Sequence, residues 1–269
     1  MKNKITKYRR LTQTFVFILM FLIPMLNIIG INFIKGTFYS LDVGDIAIAD
    51  PLAIFQAFLV SKHFVLTMFV SIIIPVLLMF ILGRIWCSWM CPYHFLVELL
   101  NSIRIKLRIK KKNKLKTYNK TNKVNIFRFS FLISGLFITG VVGIPLLNLI
   151  SAPGIISSQA LVLIKFHYFT FEIVFILILL IIEILLGNFF WCRYFCPTGT
   201  FLSIFRTKKG LHIVKTKESC SNCLRCIKSC PMGINPMTDG NNYLCHNCGK
   251  CVDVCPDNKK EDTLKFRFF

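Results

Sequence analysis

The sequence has few charged residues, and acidic residues are the scarcest of them. Only 12 Asp and Glu accompany 33 Lys and Arg, and charged residues make up 17% of the 269 residues against 55% for hydrophobic ones. The mean hydropathy is +0.62. This composition excludes an ordinary soluble globular protein.

Long apolar runs take the place of the missing charge. Four runs are each long enough to cross a bilayer, which takes about 20 apolar residues. No small-residue cleavage site follows the first run, so we interpret it as a spanning helix rather than a signal peptide. The four predicted transmembrane helices are Leu11–Ile34, Phe64–Leu82, Ile126–Ile150 and Phe169–Leu186.

The positive charge is unevenly distributed along the chain. Residues 1–10 hold five Lys or Arg, residues 84–125 hold eleven, and residues 193–269 hold thirteen. With four spans these segments share one side, and the positive-inside rule places both termini and the central loop in the cytoplasm. Topology and attraction to anionic lipid account for the charge, so we expect no nucleic-acid partner. Within the central loop, the pattern of Ile103–Lys116 predicts an interfacial amphipathic helix.

No cysteine lies outside four motifs. Two C-terminal motifs read C-x2-C-x2-C-x3-C-P, the run that binds a [4Fe–4S] cluster in bacterial ferredoxins. A disulfide framework suits small secreted domains, and zinc sites have a longer gap between their C-x2-C pairs, so neither accounts for these runs. The fourth cysteine of each run usually closes the other cluster, which predicts a crossed pairing. One predicted set is Cys220, Cys223, Cys226 and Cys255, and the other is Cys245, Cys248, Cys251 and Cys230.

The other four cysteines belong to an internal repeat with an offset of about 104 residues. Trp86-Cys87-x3-Cys91-Pro92 matches Trp191-Cys192-x3-Cys196-Pro197, and in each repeat a histidine, His63 or His167, stands before the second apolar run. The two repeats have the same orientation and are expected to pack about an axis along the membrane normal. This arrangement predicts that the four cysteines meet on the cytoplasmic side and the two histidines on the other.

The chemistry of the C-x3-C-P pairs is open from the sequence. Cysteines four residues apart are expected on one face of a helix. The four thiolates of Cys87, Cys91, Cys192 and Cys196 could hold a metal or cluster together, or each pair could form a redox disulfide. The alternative is that they are small buried apolar residues.

Three further residues are candidates for quinone or proton chemistry. An imidazole at His63 or His167 can hydrogen-bond a quinone carbonyl and relay the released proton, although histidine at such a place often only caps a helix. Paired histidines could also ligate haem, but no other haem signal accompanies them. Glu183 is the only acid deep in a predicted span, and such carboxylates often mark proton paths. Equally, Glu183 could reach the cytoplasmic interface or pair with Arg84.

The combination of four spans, duplicated C-x3-C-P motifs and two ferredoxin runs resembles the NapH/MauN family of ferredoxin-type membrane proteins. The resemblance covers nearly the whole chain. It implies a multi-pass subunit of the bacterial inner membrane that takes part in oxidising menaquinol or ubiquinol, as part of a quinol dehydrogenase. It also implies a periplasmic, NapG-like iron–sulfur partner and electron delivery toward a periplasmic reductase, most readily nitrate reductase.

Two related classes are alternatives. A NosR/NosH-like subunit would serve nitrous oxide reduction, but the segment Lys35–Lys62 is too short for the flavin domain of NosR-type proteins. A CcoG-like protein would handle copper, but the chain ends 14 residues after Cys255, without the extra domain of that class. The predicted fold is an all-α membrane domain over residues 1–205, with four transmembrane helices in two parallel repeats. A small two-[4Fe–4S] ferredoxin-like domain follows over residues 206–269.

Overall fold

The computed structural model describes most of the chain. The described residues are 4–30, 34–37, 39–43, 46–63, 65–106, 121–187, 189–207, 209–216, 220–259 and 262–268. Phe64, where the second predicted span begins, and residues 107–116 of the predicted interfacial helix lie outside them.

The chain begins with a long apolar helix and continues into a small sheet. Helix α1 spans Lys4–Ile28 and contains Pro24. The predicted span continued to Ile34, but the chain instead turns into an antiparallel sheet whose strands follow one another in chain order. The strands are β1 (Ile34–Thr37), β2 (Ser40–Val43) and β3 (Ile46–Ala49).

Helices complete the first half of the chain. The carboxylate of Asp50 accepts a hydrogen bond from the Leu52 amide at 3.3 Å, and Pro51 occupies the first turn, so the first of these helices has a capped start. Gly83 ends the second of these helices, Leu66–Leu82, with a φ of +66°, which glycine adopts without strain. The helices are α2 (Pro51–Ser61), α3 (Leu66–Leu82), α4 (Ile85–Trp89) and α5 (Pro92–Lys106).

The second half repeats this order of helices. His167 ends its short helix in the left-handed conformation, as Lys62 ends α2, and Gly187 ends its apolar helix as Gly83 ends α3. The sequence repeat is therefore also a structural repeat. The helices are α6 (Thr121–Val142), α7 (Leu146–Leu149), α8 (Ala152–Phe166), α9 (Glu172–Leu186), α10 (Phe190–Tyr194) and α11 (Pro197–Ile204).

The two halves interleave. Helix α1 packs against α8 of the second half, and α6 packs in turn against α2 of the first. Val16 of α1 shares an apolar core with Ile155 of α8, while Leu132 of α6 shares another with Leu52 of α2. Each half thus completes its core with the other.

Two of the four predicted spans are helices long and apolar enough to cross a bilayer. Among the described residues these are Lys4–Ile28 and Thr121–Val142, with 25 and 22 residues. Helices α3 and α9, in the other two predicted spans, have 17 and 15 residues. At 1.5 Å per residue they are about 26 and 23 Å long, shorter than the ~30 Å hydrocarbon core. The four-span arrangement therefore stays a prediction.

The segment between the first two predicted spans was expected on the external side of the membrane, away from the cysteines, but part of it packs against the helices. Strand β3 packs along α3, and Asp50 and Pro51 line a cavity together with Trp86, the residue before Cys87. The second half behaves alike, because Ser151, which precedes α8, shares a 2.9 Å hydrogen bond with Thr198 beside the second C-x3-C-P motif. Helices α2 and α8 therefore both begin close to the cysteine motifs.

The C-terminal domain begins after α11 and docks onto the helices. Strand β4 (Leu211–Lys215) pairs antiparallel with β5 (Leu264–Phe268). The Ser88 hydroxyl donates to the His246 carbonyl at 2.5 Å, and the Trp89 indole donates to the Asn247 carbonyl at 3.3 Å. The first C-x3-C-P motif is therefore in direct contact with the second ferredoxin run. Short helical segments in this domain are α12 (Arg225–Ser229), α13 (Lys250–Asp253) and the 3-10 turn Asp257–Lys259.

Candidate metal and redox site

Four cysteines of the C-terminal domain line one cavity, which we call the first tail cavity. Met237 and Leu264 contribute apolar side chains to its wall. Cys223 is exposed here. The cysteines are those that the crossed pairing assigns to one cluster, namely Cys220, Cys223, Cys226 and Cys255.

The other four cysteines of this domain line a separate cavity, the second tail cavity. Ile213, Met232 and Ile234 close it with apolar atoms, and all four cysteines are buried. A cluster held here would be shielded from water more than one in the first tail cavity. These cysteines are the second crossed set, namely Cys230, Cys245, Cys248 and Cys251.

Both ferredoxin runs have the same backbone geometry between their cysteines. Asn222 and Leu224 adopt positive φ in the first run, and Asn247 and Gly249 do so at the same positions of the second. Isolated left-handed residues in tight loops form the concave backbone that suits anionic clusters. The loops therefore fit a cluster in their conformation as well as in their thiols.

The cysteines surround a space and do not converge on a point. The described residues contain no group of three or more His, Cys, Asp or Glu side chains placed to hold a single metal ion. A four-iron cluster spreads its cysteine ligands around a core of several atoms. The arrangement thus fits clusters better than isolated ions.

A third set of cysteines lines a cavity between the repeats, which we call the shared cavity. It takes one C-x3-C-P pair from each half of the chain. All four cysteines are free thiols in the structure, Cys91 and Cys196 buried and the other two partly buried. The set is Cys87, Cys91, Cys192 and Cys196.

The prediction that each C-x3-C pair lies on one continuous helix is wrong. Helix α4 ends at Trp89 and α5 begins at Pro92, so Cys91 lies in the break. In the second repeat Cys196 lies between α10 and α11 in the same way. Proline disfavours helical conformation in the residue before it, and so breaks the helix at both motifs. The pairs nevertheless face the same cavity.

Two buried arginines lie beside the shared cavity. Arg84 lines it and donates from Nη2 toward Cys87 Sγ at 3.9 Å, while Arg128 interacts electrostatically with Arg84 and with the Cys87, Cys192 and Cys196 thiols. Their exposed fractions are 2% and 1%. Within the described part of the chain, Nε of Arg84 and both Nη atoms of Arg128 lack hydrogen-bond partners.

The shared cavity adjoins the second tail cavity. Met232 and His246 line both of them. The His246 ring is 2% exposed, and neither of its nitrogens has a hydrogen-bond partner among the described residues. Two side chains thus separate one cysteine set from the next.

Two family models match segments of the chain that contain the cysteine motifs. The family described as "4Fe-4S binding domain" matches residues 64–110 and again residues 168–213, two matches that start 104 residues apart like the internal repeat. The family described as "4Fe-4S dicluster domain" matches residues 212–256, which contain both ferredoxin runs. No solved structure matches the chain.

Three relatives illustrate what the chain is similar to. Uncharacterized protein MJ0750 of Methanocaldococcus jannaschii is 37% identical over 169 residues, which cover 61% of this chain and 65% of that relative. Ferredoxin-type protein NapH of Escherichia coli is 26% identical, covering 83% of this chain and 73% of NapH. Methylamine utilization ferredoxin-type protein MauN of Methylorubrum extorquens is 25% identical, covering 86% and 77%. Over most of its length the chain is similar to ferredoxin-type proteins of the NapH/MauN family.

The two candidate histidines lie on the surface. His63 follows α2, and His167 ends α8 with a left-handed backbone. Both side chains are exposed. They lie at equivalent places in the two repeats, but neither lines any of the three cysteine cavities.

Glu183 does not reach solvent and makes no ion pair with Arg84 among the described residues. It is 2% exposed and accepts a hydrogen bond from the Trp191 amide at 2.9 Å. Tyr93 lines the shared cavity and interacts electrostatically both with Glu183 and with the thiols there. The carboxylate therefore caps the start of the second C-x3-C-P segment.

A fourth cavity, which we call the apolar cavity, adjoins the shared cavity. The sequence analysis did not predict it. Tyr39 and Trp86 line both cavities. Burial raises the pKa of its one carboxylic acid, Asp50, to about 6, although the bond from the Leu52 amide opposes the rise. The Asp50-Pro51 dipeptide is a sequence signal for a helix start, but not for a cavity. The lining is completed by Ile48, Ala49, Pro51, Pro75, Met79 and Leu202.

A buried ion cluster joins the helices to the C-terminal domain. Glu98 accepts from Arg9 at 2.6 Å and from Lys250 at 2.5 Å. Burial favours the neutral acid, but the charges of Lys250 and Arg9 outweigh it and hold the pKa of Glu98 well below its usual value. Burial also lowers the pKa of His94 to about 3, so that ring is neutral. The sequence offered no signal for this cluster, because its members are far apart along the chain.

Proposed function

We propose that this protein is a membrane iron–sulfur electron-transfer subunit that takes part in quinol oxidation and passes electrons toward a periplasmic reductase. The observation that carries the proposal is the presence of two separate four-cysteine cavities in the C-terminal domain. The second tail cavity also adjoins the shared cavity, which contains four further cysteines. Cys220, Cys223, Cys226 and Cys255 would hold one [4Fe–4S] cluster, and Cys230, Cys245, Cys248 and Cys251 the other. Such clusters supply one-electron transfer when bound.

The outward faces of the helices support a place in the membrane. Leu185 of α9 is 71% exposed, Phe137 of α6 72% and Leu66 of α3 67%. Contiguous apolar surface of this kind is rare on soluble monomers, and lipid would cover it. In this proposal α1, α3, α6 and α9 cross the bacterial inner membrane, and the basic segments keep both termini and the C-terminal domain in the cytoplasm.

The apolar cavity is the proposed position of the quinol, and its present volume of about 30 Å³ means that the lining side chains must move to admit a quinone ring. It is lined mostly by apolar side chains with Asp50 and Tyr39 among them, which is the usual make-up of a small-molecule site. Menaquinol or ubiquinol bound there would lie next to the shared cavity. Asp50 would accept a proton from the bound hydroxyl. The exposed His63 and His167 line neither the apolar cavity nor the shared cavity, so the proposal gives the first proton acceptance to Asp50.

The partner and the acceptor follow from the family resemblance. A periplasmic, NapG-like iron–sulfur protein is the proposed partner. Nitrate reductase is the proposed final acceptor of the electrons. Relatives named for methylamine utilization belong to the same family, so family membership alone does not fix the acceptor.

Reduction by quinol tests the proposal directly. The anaerobically purified chain in lipid nanodiscs is mixed with menaquinol, and cluster absorbance is followed with and without the periplasmic partner. We expect partial bleaching of the absorbance, and steady quinol oxidation only when the partner is present. The Cys248→Ala variant, which lacks a ligand of the second tail cluster, is the matched control and should bleach less. Absorbance that quinol leaves unchanged would remove quinol oxidation from the proposal.

A further inference from the structure

We propose that Cys87, Cys91, Cys192 and Cys196 jointly hold one additional iron–sulfur cluster, shared between the two repeats. The inference deepens the proposed function and rests on it for the role of the cluster in electron transfer. Its ligands and its metal content are independent of that role.

The ligand count requires both repeats. Each match to the "4Fe-4S binding domain" family contains only two of the four cysteines, whereas a cubane or two-iron cluster takes four thiolates. Because the halves interleave, the two pairs line one cavity. Neither repeat could complete the site alone.

The charge around the cavity indicates an anionic occupant. Arg84 and Arg128 are almost fully buried and have unpartnered N–H groups within the described structure. Buried guanidinium groups without a counter-charge are strongly unfavourable. Four neutral thiols or two disulfides would leave both charges unbalanced, whereas a cluster with four thiolates carries net negative charge that balances them.

The backbone is shaped to bring these charges together. A Cβ on Gly199 would lie 2.9 Å from Arg84 Nη2, 3.4 Å from Cys196 Sγ and 3.8 Å from Cys87 Sγ. Glycine at this position therefore lets a guanidinium and thiols from both repeats approach one another. Pro153, in the first turn of the 15-residue helix α8, also lines the cavity, so the positive end of that helix dipole faces the same space.

The geometry favours a cluster over a single ion or disulfides. None of the four cysteines is paired in a disulfide, and no group of three or more ligand side chains in the described ranges converges on one ion position. The cavity also touches the apolar cavity through Trp86 and the second tail cavity through His246. A cluster here would therefore lie between the proposed quinol site and the second tail cluster.

Iron and acid-labile sulfide in the anaerobically purified full chain test this inference. Two tail clusters account for about eight irons per chain, and a shared cluster raises the total to about ten if it has two irons or about twelve if it has four. Cys91→Ala and Cys196→Ala, one from each repeat, should each lose the whole increment and keep the eight. The Met90→Leu variant changes a neighbouring residue within the motif and should keep the full content. Cys87→Ala, at a less buried thiol, repeats the test if Cys91→Ala does not fold.

Several outcomes would overturn the inference and leave the proposed function intact. They are a wild-type content of eight irons, copper or zinc bound at these thiols instead of iron, or a disulfide within each motif by mass spectrometry. A loss of half the increment from a single substitution would contradict sharing. A wild-type content well below eight would instead count against the tail clusters and the proposed function itself.

Discussion

At the scale of single residues, the charge balance of the shared cavity depends on two arginines. Arg84 comes directly after the glycine that ends α3, and Arg128 lies in α6 of the other half. Thr200 is the one hydrogen-bond partner that the described residues give the Arg128 side chain, through Nε at 3.2 Å. Its terminal nitrogens have no hydrogen-bond partner among the described residues, and its charge acts on the Cys196, Cys87 and Cys192 thiols.

Replacing Arg128 should change the reduction potential of the shared cluster. Reduction adds a negative charge, which a nearby guanidinium stabilises, so Arg128→Met should lower the midpoint potential. We expect a shift on the order of tens of millivolts, since about 59 mV corresponds to a tenfold change in a one-electron equilibrium. Arg128→Lys keeps the charge and should shift the potential less. A redox titration followed by electron paramagnetic resonance measures both, and equal potentials in the three proteins would contradict the electrostatic role.

Asp50 should impose a pH dependence on quinol oxidation. Its pKa is raised by burial to about 6, and Tyr39 is the titratable neighbour that lines the same cavity. Only the ionised carboxylate can accept a proton, so the rate should rise as pH increases through about 6. Asp50→Asn keeps the helix cap but cannot accept the proton. That variant should be at least tenfold slower and lack this limb of the profile, and an unchanged profile would exclude Asp50 as the acceptor.

Single residues also mark the limit of sequence reasoning. The cysteine sets could be proposed from the sequence, because ligand spacing within a ferredoxin run is local. Arg84, Arg128 and Asp50 could not, because their significance comes from contacts between halves that are far apart in the chain. The quinone role of His63 and His167 stays a prediction, since both side chains are exposed and neither lines any of the three cysteine cavities.

At the scale of elements, three helices meet at one carboxylate. Arg9 of α1, Glu98 of α5 and Lys250 of α13 form the ion cluster that holds the C-terminal domain against the preceding helices. Arg9 is fully buried, with 0% exposure. Loss of the shared carboxylate would leave that charge uncompensated inside the protein.

Glu98→Gln should therefore destabilise the docked domain. Breaking a buried ion pair by removing one partner costs about 3–5 kcal/mol. The measurement is urea-induced loss of cluster absorbance, with a lower midpoint expected for the variant. Asp262→Asn is the matched control, because the Asp262–Lys265 pair is exposed and 4.0 Å apart. Equal midpoints for Glu98→Gln and the wild type would contradict the structural role of the cluster.

Helix boundaries were predicted less well than helix existence. Hydropathy identified the four apolar runs, but it placed the end of α1 too late and gave no sign that β3 folds back along α3. Such a return depends on packing between distant segments. The break at each Cys-Pro step was also missed, although proline restricts the residue before it.

At the scale of the whole molecule, duplication explains the architecture. Two copies of one helical unit, interleaved so that α1 packs against α8 and α6 against α2, create a cavity that takes equal contributions from both. The C-terminal domain closes this cavity from one side through His246 and Met232. The repeat was visible in the sequence, but the interleaving was not, because it depends on contacts between the repeats.

The most direct test of the account is the content and type of iron in the C-terminal domain of the intact chain. Protein purified without oxygen should contain at least about eight irons with matching acid-labile sulfide, and Mössbauer spectra should show [4Fe–4S] clusters. Cys255→Ala and Cys230→Ala should each disrupt a different one of the two tail clusters. Colourless protein, or markedly fewer than eight irons per chain, would contradict the assignment of this chain as an electron carrier.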